Sequence, residues 1–140
     1  MTVLPFFPNV VSNQNYTIKL DHRNKSKDKS QWTVSHQDEV FTIFKDAYTR
    51  TWVSDNNAWG VFFNNGKLDY LGVAQDHFTQ VFIAKFVNDT AHNNWHGYPA
   101  DHQSHPQDIP DQAILNDWLV NGILPKAKIS KIVGGKRCKL

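Results

Sequence analysis

The sequence predicts an α+β fold: a small, mainly antiparallel sheet, built from a central hairpin and the strand after it, packed by one long amphipathic helix and followed by a C-terminal helical pair. Three observations predict it. Asn64-Asn65-Gly66 stands between two apolar runs, and Asn and Gly tolerate the positive φ that a tight hairpin turn requires. Residues 79–87 (TQVFIAKFV) carry apolar side chains on both faces, Val81 and Ile83 on one and Phe82, Ala84 and Phe86 on the other. That pattern fits a strand covered on both sides, hence a central one. Apolar residues then recur at helical spacing before and after this core of strands.

Taken in order, residues 1–15 are apolar but broken by Pro5 and Pro8, which suits an extended segment laid over the core. Residues 16–20 (YTIKL) alternate and are rich in β-formers, predicting a strand. Residues 21–30 (DHRNKSKDKS) hold four basic residues, two acids and no apolar side chain, predicting an exposed loop that could contact phosphate. Ser35, with Asp38 and Glu39 after it, opens the long helix, since a hydroxyl caps free N–H groups and carboxylates suit the positive helix end. Val40, Phe41, Phe44, Ala47, Tyr48 and Trp52 give it one apolar face, to about Val53.

The hairpin strands span residues 58–63 and 67–74, with Gly60 and Gly72 inside them. Pro110 and Asp111 open a second helix, Ile114, Leu115, Trp118 and Leu119 form its apolar face, and Gly122 ends it. Pro125 opens a third helix that runs to Val133 and stops at Gly134-Gly135. No repeat or linker divides the chain, so residues 1–140 are expected to form a single domain.

Composition narrows the function classes. An apolar fraction of 40% is enough for a globular core. The single cysteine, Cys138, cannot form an internal disulfide. The first residues lack a basic n-region, and no apolar run reaches the roughly 18 residues of a membrane span. A soluble, intracellular and cytoplasmic protein is therefore expected. Its charge is polarised: residues 123–140 contain six basic residues and no acid, leaving nine basic against 13 acidic in the rest. Such a basic end suits nucleic acid or an acidic protein. The sequence holds no GxxxxGK[ST], GxGxxG, GxSxG or HExxH, so the chemistries those motifs carry have no support.

The segment expected to carry function is residues 91–106 (AHNNWHGYPADHQSHP), a stretch without helical or strand period that holds four of the seven histidines. Residues 87–124 contain no Lys or Arg, so positive charge there must come from histidine, which titrates near neutral pH. Three chemistries are open. His92, His96, His102 and His105 with Asp101 offer nitrogen and oxygen ligands to a metal, although Gly97 and Pro99 oppose the helix that would align His92 with His96. Metal-independent phosphodiester cleavage needs a base, an acid and a cation; His96 with His92 or His102 supplies the first two, Asp101 stands beside them, and Lys85, Arg50 or a basic residue of the C-terminal end supplies the third. A binding surface would use Trp95 and Tyr98 as aromatic faces.

The leading expectation is a small binding protein that engages nucleic acid or an acidic protein partner through residues 91–106, with Trp95 and Tyr98, and through the basic end, with Lys126, Lys128, Lys131, Lys136 and Arg137. The alternative is a His-dependent, metal-independent phosphodiesterase such as a ribonuclease toxin. Neither requires a cofactor. Cys138 in a basic tail is a weak nucleophile candidate, its thiol open to activation by its cationic neighbours.

Overall fold

The computed structural model describes residues 5–89 and 93–140. Its main sheet is much larger than the sequence predicts. Strands β1 (Phe6–Val11), β2 (Gln14–Thr17), β4 (Val53–Ser54), β5 (Asn57–Asn64), β6 (Lys67–Asp69), β9 (Ile83–Asn88) and β10 (Asn94–Ala100) form a seven-stranded curled sheet in the order β1-β2-β10-β9-β5-β4, with β6 paired to β5. Every pairing in it is antiparallel except β2 with β10. A separate three-stranded sheet joins β3 (Gln31–Trp32), β7 (Gly72–Val73) and β8 (Gln80–Val81).

The predicted small sheet under one long helix is therefore corrected to a half-barrel sheet with three helices. One cause lies in residues 94–100, which the sequence reading leaves outside the sheet. Their burial alternates, with Trp95, Gly97 and Pro99 buried and Asn94, His96 and Tyr98 partly exposed, so they form a strand beside β9. Gly97 makes this possible. A Cβ there would stand 2.3 Å from Phe86 Cδ1, and only a bare backbone lets the Phe86 ring lie across β10.

The predicted long helix is the second correction. Residues Asp38–Phe44 wind as a π-helix that continues into α1 (Lys45–Thr49), with the Lys45 N–H donating to the Val40 carbonyl five residues back. The wider turn rotates the buried face, so Ile43 joins Val40, Phe44 and Ala47 in the core while Phe41 is exposed. Trp52 lies beyond the helix, buried, with its indole N–H donating to Asp117 Oδ2 at 2.6 Å.

The expected strands 67–74 and 79–87 each divide, β7 and β8 leaving the main sheet for the second one, whereas the turn and helix-start signals hold. Asn65 (φ 52°) and Gly66 (φ 81°) close the β5–β6 hairpin in the left-handed region. β9 lies between β10 and β5. The Asp111 carboxylate accepts from the Gln112 N–H and caps α2 (Gln112–Val120), and Pro125 precedes α3 (Lys126–Val133). Among the described residues no helix is long and apolar enough to cross a membrane.

Register assigns each side chain to a face. Tyr98 stands opposite Lys85, and Lys85 opposite Trp59, so these three share a face with His96, Val61, Ile83 and Ala100. On part of that face α2, α3 and the turn between them pack Ile114, Leu115, Trp118, Leu124, Ile129 and Ile132 onto Trp59, Val61 and Ile83. The other face buries Tyr16, Ala58, Ala84, Phe86 and Trp95 under Val40, Ile43 and Phe44. The π-helical turn also buries Glu39, whose carboxylate accepts from Tyr16 Oη at 2.5 Å and Arg23 Nη2 at 2.6 Å. Burial raises the Glu39 pKa, and these two bonds oppose the rise.

Candidate functional site

The C-terminal helices cover only part of the Lys85–Tyr98 face. Beside them a polar cleft of about 300 Å³ opens, lined by His22, Lys29, Ser30, Tyr98, His105 and Asp108 among others. Separate parts of the chain supply these side chains. His22 ends a 3₁₀ turn (Leu20–His22) after β2, Tyr98 comes from β10, and His105 precedes and Asp108 ends the 3₁₀ turn Pro106–Asp108 before α2. Parallel pairing of β2 with β10 fixes the course of the chain leading to His22.

The floor of the cleft is a buried ion pair. Asp108 Oδ1 accepts from Tyr98 Oη at 2.7 Å and from Lys85 Nζ at 3.4 Å, and Lys85 also donates to the Gln107 carbonyl at 3.0 Å. Asp108 is buried and Lys85 largely so, so each requires the other. The Trp59 indole N–H donates to the Asp108 carbonyl at 3.0 Å and holds the turn to the sheet. Burial, reinforced by the adjacent carboxylate, pushes the Tyr98 phenol above its ordinary range, and its hydroxyl is held as a donor to Asp108.

The His22 ring stacks on Tyr98, with ring centroids 5.3 Å apart. Its Nδ1 lies 2.8 Å from the Ser30 carbonyl oxygen, which can only accept, so Nδ1 carries the proton and Nε2 the lone pair of the neutral ring. Burial holds the imidazole below its ordinary pKa of 6.5, with the Ser30 bond opposing the shift. His22 is therefore a neutral base near pH 7. His105 Nε2 lies 2.8 Å from Gln75 Nε2. An amide serves both forms of a histidine, its NH₂ facing the neutral ring and, after a flip, its oxygen facing the protonated one.

The sequence-predicted residues divide sharply. Tyr98 and His105 line the cleft, Lys85 lies beneath it against Asp108 and the Gln107 carbonyl, and His96 is on the same sheet face as Lys85 and Tyr98. Its Nδ1 is 3.1 Å from Asp89 Oδ1, but off the line of a hydrogen bond. His92 lies outside the described residues. Trp95 is 2% exposed and donates its indole N–H to Gln14; it is core, not an accessible aromatic face. His102 is buried and bonds the Lys136 carbonyl at 2.8 Å, which anchors the C-terminal segment. Asp101 accepts from the Gln103 N–H and shapes the turn before His105. Arg50 pairs with Asp46 and lies over Trp52 and Phe63; it is not among the residues lining the cleft.

Lys126, Lys131, Lys136 and Arg137 are exposed, and Lys128 is half-buried. Cys138 is buried in the core, and burial raises its thiol pKa despite Lys128 and Lys131. Burial thus outweighs the cationic neighbours, and the thiol is not activated.

Among the described residues no three His, Cys, Asp or Glu side chains are grouped to hold a metal ion. His96, His102 and His105 each have a different neighbour: Asp89, the Lys136 carbonyl and Gln75.

The sequence reading misses His22, Gln75 and Asp108. His22 stands inside the charged run 21–30, which a phosphate-contacting reading singles out, but nothing local ties it to Tyr98. That run is also less free than its composition suggests. Gln31 donates to the carbonyls of Asp21 and Lys29, and Arg23 donates to Val34 O and Glu39.

Comparison of the chain with protein-family models, with curated proteins and with solved structures finds no match.

Proposed function

We propose that this chain is a metal-independent phosphodiesterase acting on RNA, with His22 as base, His105 as acid and Lys29 as the cation at the cleft rim. The observation that carries the reading is the His22 ring: half-buried, its pKa held below the ordinary value, its tautomer set by the Ser30 carbonyl, and sharing one open cleft with a second histidine. General acid–base catalysis needs such a pair, with the base deprotonated at the working pH.

The reaction follows from those roles. His22 Nε2 takes the proton of a 2′-hydroxyl while the 2′-oxygen bonds to phosphorus. The bond from phosphorus to the 5′-oxygen breaks, and His105 gives that oxygen its proton. The products are a 2′,3′-cyclic phosphate and a free 5′-hydroxyl. Lys29 offsets the charge that builds on the phosphoryl oxygens. Lys85 cannot take that part, since Asp108 and the Gln107 carbonyl occupy it; it positions Asp108, and through it Tyr98 and the stacked His22.

The binding reading built on Trp95 is weaker, because that indole is buried and bonded to Gln14. What tests the proposal is product analysis with excess chelator present. An RNA oligonucleotide is expected to yield cyclic phosphate ends, and its all-2′-deoxy counterpart is expected to survive. Cleavage of the deoxy strand, or cleavage that chelation abolishes, contradicts the proposal.

A further inference from the structure

The turn over residues 74–79 adds Gln75 to the cleft and lends His77, Phe78 and Thr79 to a second depression of about 560 Å³. Phe78 is 77% exposed, the largest exposure of an aromatic side chain among the exposed hydrophobics described. An apolar ring in water is ordinary when its backbone is loose; this one is held. Asp76 Oδ1 accepts from the N–H groups of Phe78 (2.9 Å) and Thr79 (2.8 Å), and its Oδ2 accepts from the Thr79 hydroxyl. His77 adopts a left-handed φ of 66°, and its Nε2 lies 3.0 Å from the Lys29 carbonyl and 3.2 Å from that of Ser26. The same turn therefore braces the loop that carries Lys29 into the cleft.

The second depression is lined further by Tyr70, Val73, Gln80, Arg137 and Lys139, and no lining residue is acidic. The nearby Asp76 carboxylate is occupied by the turn, and its bonds to Thr79 and Phe78, with a smaller effect of Arg137, hold it below its ordinary pKa. An aromatic face beside two cations, with no carboxylate in the wall, matches the stacking-plus-phosphate pattern of single-strand recognition. The His102 bond to the Lys136 carbonyl fixes the backbone that presents Arg137.

We infer that this groove is a subsite for single-stranded nucleic acid, in which a base next to the scissile linkage stacks on Phe78 and its phosphates meet Arg137 and Lys139. The inference rests on the cleft as the cleavage site and names the substrate form it takes: an unpaired strand passing over the 74–79 turn. A duplex cannot present an unstacked base to Phe78, so single strands are preferred.

The test is fluorescence-anisotropy binding of an all-2′-deoxy single strand, which lacks the attacking hydroxyl and so separates binding from cleavage. Phe78→Ala is expected to weaken binding about tenfold and Phe78→Trp to retain it. Replacing both Arg137 and Lys139 by Gln is expected to lower the slope of log affinity against log salt by about 1.4, that is ~0.7 for each of two phosphates. Phe78 is exposed, so Phe78→Ala leaves the fold intact, which circular dichroism verifies. Binding unchanged in Phe78→Ala, or heparin binding equal to the oligonucleotide's and equally indifferent to Phe78, overturns the inference. That failure differs from failure of the cleft reading, in which wild-type protein binds the deoxy strand through Phe78 yet cleaves no RNA.

Discussion

The His22 imidazole and the Ser30 carbonyl are joined by a 2.8 Å hydrogen bond that leaves the ring only one nitrogen for chemistry. The carbonyl has no proton to give, so the bond holds Nδ1–H and assigns the lone pair to Nε2. Burial then lowers the pKa and keeps that lone pair free near neutral pH.

The first prediction is the pH profile. A base with a depressed pKa is active until acid protonates it, so the acid limb of kcat/KM is expected below His22's ordinary value of 6.5. The same shift acts on stability. The folded form binds its proton more weakly than the unfolded chain, so stability is full above 6.5 and falls as pH drops through the lower folded pKa. His22→Gln is expected to flatten that acid decline, as measured by urea unfolding across pH; an unchanged decline places the acid sensitivity elsewhere.

The second concerns the buried pair beneath the cleft. Asp108→Ala strands the Lys85 ammonium and removes the acceptor of Tyr98 Oη. A loss of about 3–5 kcal/mol is expected on leaving one partner of a buried pair alone. Asp108→Leu combined with Lys85→Met is expected to recover most of that stability while activity stays low, because Tyr98 and His22 lose their anchor. Denaturant midpoints of the three variants, read beside RNA cleavage, check both halves.

A third prediction links the helix to the His22 turn. Arg23 follows His22 directly and donates to Glu39, which lies in the π-helical segment and also accepts from Tyr16. Glu39→Ala leaves the Arg23 charge without its buried partner, and a loss of about 3–5 kcal/mol is expected. An effect under 1 kcal/mol in equilibrium unfolding contradicts this role for the network.

Gly97 supplies a fourth. Its missing Cβ would come within 2.3 Å of Phe86 Cδ1 and 2.9 Å of the Lys85 carbonyl oxygen. Gly97→Ala is expected to destabilise by about 1–3 kcal/mol, the range for overpacking. Thermal unfolding reads this directly, and a neutral result means that β10 and β9 separate easily.

Local signals made some of this legible in advance. Asn65 and Gly66 announce a turn because few other residues adopt positive φ cheaply, and Asp111 and Pro125 mark helix starts for equally local reasons. β10 hid because Gly97 and Pro99 look like loop residues, although each is buried on the inward side of a regular alternation. The π-turn was invisible for a different reason: nothing in DEVFTIF demands an extra residue per turn, and the buried Glu39 becomes meaningful only with Arg23 and Tyr16 in place. The site was half legible. Tyr98 and His105 follow from a histidine-rich segment, and Lys85 beneath them from the apolar strand beside it, whereas His22 joins them through a fold in which residues 20–22 and 98–108 meet.

The most direct measurement is RNA cleavage by purified His22→Ala and His105→Ala proteins, in chelator, after each has been shown to unfold with the wild-type transition. Loss of a base or an acid is expected to lower kcat by roughly 10²–10⁴-fold in each variant, with KM little changed. His22→Ala cleaving at the wild-type rate would contradict the account at its centre.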